Sequence, residues 1–216
     1  MSNHVHIFGL QFSTFCRSIM LYCEEKNIKY TIGLSIGDKT IELKSEAHFD
    51  LHPFGKFPVL IDGENTLFET ATICRYLDEK YSGTPLQLTN INKKAIIDQW
   101  SAAISTYIDK ALVRDYLLEF AFPKGKDGAI RMEVLAEAEP QVINILKKLE
   151  LLLADNEFIC GEQYSIADAL LTPILDYLFF LPVKDHLFQS VPKLNHYTQR
   201  MQQRLSGVKI LTHKAK

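Results

Sequence analysis

The alternation of apolar and polar positions along the chain changes character once, at about residue 82. Before that point, short apolar runs of strand length alternate with stretches of helical periodicity. The runs predicted to be strands are Val5 to Phe8, Tyr30 to Leu34, Pro58 to Ile61 and Thr66 to Phe68. Such alternation is typical of a small sheet covered by helices. The first part of the chain is therefore predicted to be α/β, with a mixed sheet of four strands.

Local sequence signals predict where the first helix ends and which two strands form a hairpin. The first helix is predicted over about Thr14 to Lys26, because Asn27 tolerates the left-handed turn that often follows a helix. Asp62-Gly63 lies between two strand-like runs, which predicts that they pair as an antiparallel hairpin.

Periodicity is lost from Ser82-Gly83-Thr84-Pro85 to Asn92, and only helical spacing follows. Pro140 interrupts a later helical stretch and predicts a kink or a broken helix there. The predicted organisation is a domain at 1–83, a linker at 84–92 and an all-helical domain at 93–216. The first long stripe of the helical part consists of Ile96, Ile97, Trp100, Ala103, Ile104, Tyr107, Ile108 and Ala111.

Composition excludes several classes of function. Of 216 residues, 47% are apolar and the net charge is −2, which leaves no basic field for nucleic acid. No apolar run approaches the roughly 20 residues that cross a bilayer, and Met1 to His4 lacks the features of a secretory signal, so the expected location is cytoplasmic. The four cysteines form no CxxC pair, and His4 and His6 lack a third ligand, so no metal site is predicted.

Ser13 is the most informative residue, since it stands where the first strand turns into the first helix. Its hydroxyl would lie among unpaired backbone N–H groups at the positive end of the helix dipole, a position that favours an anion. If that anion is a thiolate, Ser13 would be its hydrogen-bond donor and would favour loss of the thiol proton. The alternative is that Ser13 only caps the helix.

Two further segments place polar groups next to the beginning or the end of a predicted strand. Pro58 begins a predicted buried strand, and a cis Phe57-Pro58 bond would leave the Phe57 N–H and C=O free to pair with an extended peptide. An ordinary trans proline is the alternative. Glu69-Thr70 opens the third helix and offers one carboxylate, one hydroxyl and backbone amides, which suit the two charges of an α-amino acid. The alternative is a simple cap beside an exposed acid.

Ser165-Ile166-Ala167-Asp168 predicts a capping box at the start of a buried helix. In this box the serine hydroxyl would accept from the amide of Asp168 and the carboxylate would accept from the amide of Ser165. Asp168 is therefore assigned to folding and not to chemistry.

In this order, the elements resemble the glutathione transferase superfamily over essentially the whole chain. The chain is most similar to the serine-type enzymes, and to the phi class in particular. The resemblance implies a thioredoxin-like N-terminal domain that binds glutathione and an all-helical domain that forms the site for an electrophile. The matching segments are Phe8-Gly9-x-x-x-Ser13, His52-Pro53-Phe54-Gly55, Gly55 to Leu60, Glu69-Thr70 and Ser165 to Asp168.

The resemblance also implies roles for single residues. Ser13 would stabilise the glutathione thiolate, and the Phe57 backbone beside cis-Pro58 would pair with the cysteinyl residue. The γ-glutamyl end would be bound by Glu69 and Thr70, where the family commonly has serine in place of the threonine. The glycine carboxylate would be approached by Lys44 and Lys56, although the histidine often found before the first of these is Leu43.

In the mechanism that the resemblance implies, glutathione is a co-substrate and no cofactor is bound permanently. The thiolate attacks a small hydrophobic electrophile. The resemblance further implies a homodimer, with the third helix around Cys74 to Asp78 and the helix bearing Trp100 as candidate contacts. Aromatic residues that could line the electrophile pocket are Phe12, Phe15, Tyr107, Phe120 and Phe122.

Two other functions stay open at this point. Ser13-x-x-Cys16 is similar to the dithiol motif of glutaredoxin-like proteins with its first cysteine replaced, so Cys16 could serve a glutathione-dependent disulfide reductase or peroxidase. A cysteine one turn into the helix is expected to face the core, where its pKa rises. The other possibility is a non-catalytic binding or scaffold protein, because folds of this kind are reused for recognition.

Overall fold

The computed structural model describes residues 4–83, 85–87 and 90–211, and these form two compact units. The first unit contains the described residues of 1–88 and 205–216, and the second contains those of 89–204. The predicted linker includes Thr84, Leu88 and Thr89, which lie outside the described residues.

The first unit is a mixed sheet with helices. Its elements, numbered in chain order, are β1 (His4–Phe8), α1 (Thr14–Lys26), β2 (Lys29–Gly33), β3 (Ser35–Ile36), β4 (Lys39–Thr40), α2 (Glu46–Leu51), β5 (Val59–Asp62), β6 (Asn65–Phe68), α3 (Thr70–Lys80) and α10 (Leu205–Ile210). Strand β1 pairs with β2 in parallel and with β5 in antiparallel orientation, and β5 pairs with β6, which gives the order β2-β1-β5-β6. The predicted four-stranded mixed sheet is thus confirmed, and β5 and β6 form the predicted hairpin at Asp62-Gly63.

Helices α1 and α3 pack together and bury their apolar stripes, with Ile19 and Ile73 fully buried. Helix α1 ends as predicted at Asn27, whose φ of 54° is left-handed. Phe8 and Val59 are packed with Ile41 in a second buried cluster. The ends of β1 and β5 are therefore held firmly between buried side chains.

Helix α10 belongs to the first unit, which differs from the predicted helical domain of 93–216. It packs on α1, where Lys209 Nζ lies 2.6 Å from a carboxylate oxygen of Glu24 and the Ser206 hydroxyl donates to Glu25. These long-range contacts have no signature in helical spacing. The helical unit accordingly ends at Arg204.

The described residues of the second unit are helical apart from turns and one isolated bridge between Phe158 and Gly161. None of the helices in the described part of the chain is both long enough and apolar enough to cross a membrane. Its elements are α4 (Ile91–Ala103), a π-helix (Ile104–Leu117), α5 (Leu118–Ala121), a 3-10 turn (Lys126–Gly128), α6 (Met132–Leu153), α7 (Ile166–Phe179), α8 (Lys184–Phe188) and α9 (Pro192–Gln203).

Two sequence-based expectations fail in the second unit. The long stripe is only partly buried, since Ile96 is 46% exposed and Tyr107 is 77% exposed. One reason is the π-helix from Ile104, whose wider turns change which residues share a face. The second failed expectation is the broken helix, one of the two alternatives at Pro140. Helix α6 runs through Pro140 without a break, and Leu135 before it and Leu146 after it are both buried. The kink, the other alternative, stays a prediction.

A buried carboxylate fastens the β5–β6 hairpin to α3. Asp62 accepts hydrogen bonds from the hydroxyls of Tyr76 at 3.0 Å and Tyr81 at 2.9 Å, and it lies 2.8 Å from Lys80 Nζ. Burial raises the pKa of this carboxyl, but the hydrogen bonds from Lys80, Tyr81 and Tyr76 outweigh burial and hold the pKa below its ordinary value.

Because the pKa of Asp62 is depressed in the folded state, its stabilising effect is present above the unfolded pKa of about 3.9 and is lost as pH falls through the folded value. Asp62→Asn is expected to lower the free energy of unfolding by about 1 kcal/mol at pH 7. The difference from the parent protein should shrink below about pH 3. Urea denaturation of both proteins at both pH values measures the difference in the free energy of unfolding. An equal difference at both pH values would contradict a depressed pKa of Asp62 as its cause.

Candidate functional site

Ser13 stands at the junction of β1 and α1, as predicted. It is the N-cap residue of α1, with an extended backbone, and its Oγ accepts from the Cys16 amide at 3.5 Å. This distance is long for an N–H···O bond, so the cap is weak. The oxygen is the acceptor in it, so the half-buried hydroxyl can still donate its own proton to an anion at the helix N-terminus.

Cys16 faces the core, as predicted. Its side chain is fully buried, and burial raises the pKa of the thiol to about 12 despite the hydrogen bond with Ser13. Gly9 is needed beside it, since a Cβ at that position would stand 2.5 Å from Cys16 Sγ and 3.2 Å from Phe57 Cβ. The sulfur is thus a packing atom that stays protonated at neutral pH.

The Phe57-Pro58 peptide is cis, which confirms the sequence prediction. Pro58 is buried and Phe57 is half-buried, immediately before β5 begins at Val59. Within the part of the chain that the structure describes, neither the amide nor the carbonyl of Phe57 takes part in a hydrogen bond. Both groups are available to an added peptide strand.

Glu69 carries an unusual backbone. Its φ of 71° is left-handed, a conformation that costs a non-glycine residue about 1–3 kcal/mol and is concentrated at functional sites. The carboxylate makes no capping bond and is exposed, whereas Thr70 is only 6% exposed at the first position of α3. Glu69 is thus the exposed acid that both interpretations of this pair share, and its binding role stays a prediction.

The two predicted lysines lie on neighbouring loops. Lys44 also has a left-handed backbone, with φ of 69°, and its Nζ donates to the carbonyl of Gly55 at 2.6 Å. Lys56 is exposed and follows Gly55 directly. The side chain of Lys44 is thus partly engaged in bracing the loop that leads to Pro58.

Strand register brings three of these segments to one edge of the sheet. Phe8, the last residue of β1, is paired with Val59, and Val59 is paired on its other side with Phe68, the last residue of β6. The turn to Ser13, the Phe57-Pro58 bond and Glu69-Thr70 therefore leave the sheet at the same edge. Sequence reasoning named all three segments.

The five aromatic residues divide between the units. Phe12 and Phe15 belong to the first unit, and Tyr107, Phe120 and Phe122 belong to the second. Phe120 packs on Tyr116 with ring centroids 5.5 Å apart. Within the second unit, an apolar groove of about 360 Å³ is lined by Trp100, Ala103, Tyr107, Ile108, Gln141, Ile145, Lys148 and Leu149.

Sequence reasoning missed His48. This residue lies in the first turn of α2, is 1% exposed and makes hydrogen bonds with the backbones of both Lys44 and Lys56. A lone histidine in an amphipathic helix gives no signal of such contacts, because its partners lie on two different loops.

Comparison with known proteins identifies the family. The sequence model of the glutathione S-transferase N-terminal domain matches residues 7–85, and that of the C-terminal domain matches residues 112–204. Glutathione S-transferase F10 of Arabidopsis thaliana is 30% identical over 68% of this chain and 69% of its own length. Glutathione S-transferase F12 of the same plant is 26% identical over 96% of this chain and 97% of its own.

Solved structures agree with these relatives. Glutathione transferase F2 from Populus trichocarpa superposes with a TM-score of 0.82 at 26% identity, covering 96% of this chain and 97% of that one. The fold is thus that of a glutathione transferase of the F, or phi, class. The chain belongs to the glutathione S-transferase family, an enzyme family that uses glutathione as a substrate.

Proposed function

We propose that the protein is a serine-type glutathione S-transferase. Glutathione binds at the sheet edge where Ser13, Phe57-Pro58 and Glu69-Thr70 emerge, and its thiol is held there as a thiolate by the Ser13 hydroxyl. The thiolate then attacks an electrophilic, hydrophobic second substrate. The observation that carries this proposal is the register, which pairs Val59 with Phe8 on one side and with Phe68 on the other.

The groups at this edge complement the parts of a γ-glutamyl tripeptide. The N–H and C=O of Phe57, which have no partner among the described residues, pair with the cysteinyl backbone as an added strand would. The Glu69 carboxylate faces the γ-glutamyl ammonium, while Thr70 and the N-terminus of α3 receive the α-carboxylate. The exposed ammonium groups of Lys44 and Lys56 serve the glycine carboxylate.

The magnitudes are sufficient. A free cysteine thiol has a pKa of about 8.5, and lowering it by about two units requires roughly 2.7 kcal/mol of preference for the thiolate. A hydrogen bond to a charged group supplies about 1.5–3 kcal/mol, and a helix N-terminus adds about 0.3–1 kcal/mol. Ser13 at the start of α1 provides both.

The second substrate and the assembly follow from the same proposal. The part of the five aromatic residues in an electrophile pocket stays a prediction; Phe12 of the first unit and Tyr107 and Phe122 of the second are exposed. A homodimer and a cytoplasmic location accompany the proposed function. In α3, however, Cys74 is fully buried and Asp78 is bonded to Lys26 at 2.8 Å, so these two residues are not available to a partner.

The two other functions have less support. A disulfide reductase or peroxidase would need Cys16 as a thiolate, whereas its thiol is buried with a pKa of about 12. A non-catalytic scaffold protein would not need the left-handed backbone at Glu69, because strain of this kind is concentrated at functional sites. Retention of the protein on immobilised glutathione separates the scaffold from the transferase.

The proposal is tested by titrating the thiol of bound glutathione. The ultraviolet absorbance of the thiolate is followed against pH in the protein–glutathione complex and in free glutathione. We expect the midpoint in the complex to be about two units lower, since Ser13 and the α1 N-terminus favour the charged form. Tight binding without any shift of the midpoint would overturn thiolate activation.

A further inference from the structure

His48 sits between the two loops that carry the predicted glycine-end lysines. Its Nδ1 accepts from the Lys44 N–H at 2.9 Å, and its Nε2 lies 2.9 Å from the Lys56 carbonyl oxygen. One ring nitrogen faces a donor and the other faces an acceptor. This geometry assigns the ring proton to Nε2, which donates to the Lys56 carbonyl.

The bond to the Lys56 carbonyl sets the direction of the next amide. The Lys56-Phe57 peptide is trans, and in a trans peptide the C=O and N–H point in opposite directions. With the Lys56 oxygen directed at the buried ring of His48, the Phe57 N–H is directed away from it. This is the amide without a hydrogen-bond partner among the described residues.

The bond to Lys44 holds a residue whose backbone is strained. Lys44 has a φ of 69°, and the acceptor on its amide is His48 Nδ1. Its side chain in turn donates to the Gly55 carbonyl, one residue before Lys56. A single buried ring thus links the loop before α2 to the loop before Pro58.

We infer that His48 is a positioning residue for glutathione: it orients the Phe57 amide toward the cysteinyl backbone and fixes Lys44 beside the glycine end. The inference rests on the proposed function and adds a determinant of glutathione affinity that does not touch the reacting sulfur. His48 therefore acts on binding of glutathione and leaves the chemical step unchanged.

The ring also packs on Phe8, with centroids 5.2 Å apart, so a purely structural role must be distinguished. His48→Phe keeps the aromatic ring and removes both hydrogen bonds. His48→Gln places an amide donor where Nε2 stands, and His48→Asn places an acceptor where Nδ1 stands. Comparing the three separates packing, the Lys56 bond and the Lys44 bond.

The experiment measures KM for glutathione, kcat and the melting temperature of each variant. We expect His48→Phe to raise KM for glutathione about tenfold, with kcat within about twofold of the parent, because only binding loses an oriented donor and a fixed lysine. His48→Gln and His48→Asn each keep one of the two bonds and should each raise KM by less, about threefold. Unchanged KM in His48→Phe, or losses in all three variants that follow only the melting temperature, would overturn the inference.

A second measurement does not depend on the variants folding. The ring nitrogen shifts of His48 in the intact protein at neutral pH report which nitrogen carries the proton, and protonation on Nδ1 would contradict the proposed geometry. If the parent protein neither binds nor conjugates glutathione, the proposed function itself fails. If it does both while His48→Phe matches it, only this inference fails.

Discussion

Ser13→Ala is expected to lower kcat/KM for the electrophile, measured at saturating glutathione, about 100-fold, because it removes the proposed hydrogen bond to the charged sulfur, worth about 1.5–3 kcal/mol. The loss should be largest at low pH and should shrink as the solution pH approaches the pKa of the free thiol near 8.5, where the thiolate forms without help. Binding of glutathione itself should change little, since the peptide backbone contacts lie elsewhere. The initial rate against pH, with any reactive aromatic halide as electrophile, measures this.

Cys16→Ala is the matched control, because it changes a side chain one turn further along α1. Its sulfur is fully buried, so we expect a modest loss of stability and near-normal conjugation. Both variants should also be assayed for reduction of mixed disulfides with glutathione. Loss of activity in Cys16→Ala with retention in Ser13→Ala would reverse the assignment of the two residues.

Asp168→Ala is expected to destabilise the second unit by about 4 kcal/mol, the largest stability effect of any single substitution considered. The fully buried carboxylate accepts from the amides of Ile159 at 2.8 Å and Ser165 at 2.9 Å, and from the hydroxyls of Ser165 and Tyr197, each at 2.8 Å. Alanine would leave these buried donors without an acceptor, and each such donor costs about 1–3 kcal/mol.

Asp155→Ala provides the control in the same unit. Asp155 forms an exposed ion pair with Lys193 at 2.7 Å, with 94% of its own side chain in solvent, so its replacement should leave the free energy of unfolding almost unchanged. Equilibrium unfolding in urea compares the two variants with the parent. A loss below about 1 kcal/mol in Asp168→Ala would contradict the view that this carboxylate organises the start of α7.

The sequence predicted the parts of the fold and site that rest on local signals. Ser13 was found because a polar residue follows a strand and precedes a helix, and Pro58 because proline is out of place at the start of a buried strand. In the capping box at Ser165, the predicted bond from the Ser165 amide to the Asp168 carboxylate is confirmed. The hydrogen bonds from Ile159 and Tyr197 to Asp168 could not be predicted from the sequence, because they join residues that only tertiary packing brings together.

Other features could not be predicted from the sequence, for the same physical reason. The contacts of His48 connect it with two loops, and the packing of α10 on α1 joins residues at opposite ends of the chain. The residues of the π-helix from Ile104 to Leu117 are of types that also form α-helices, so the spacing of apolar residues does not distinguish the two kinds of helix. The roles of the glutathione ligands stay predictions, supported by the edge at which the strands end.

The backbone at Glu69, with its positive φ, costs folding free energy at a residue that is proposed to recognise glutathione. Glycine would adopt that conformation without the steric penalty of a side chain. The exchange would relieve strain and would delete the acidic group that is proposed to bind the ammonium of the tripeptide. A search for thermostabilising substitutions alone would therefore favour a change that weakens the proposed binding of the thiol substrate.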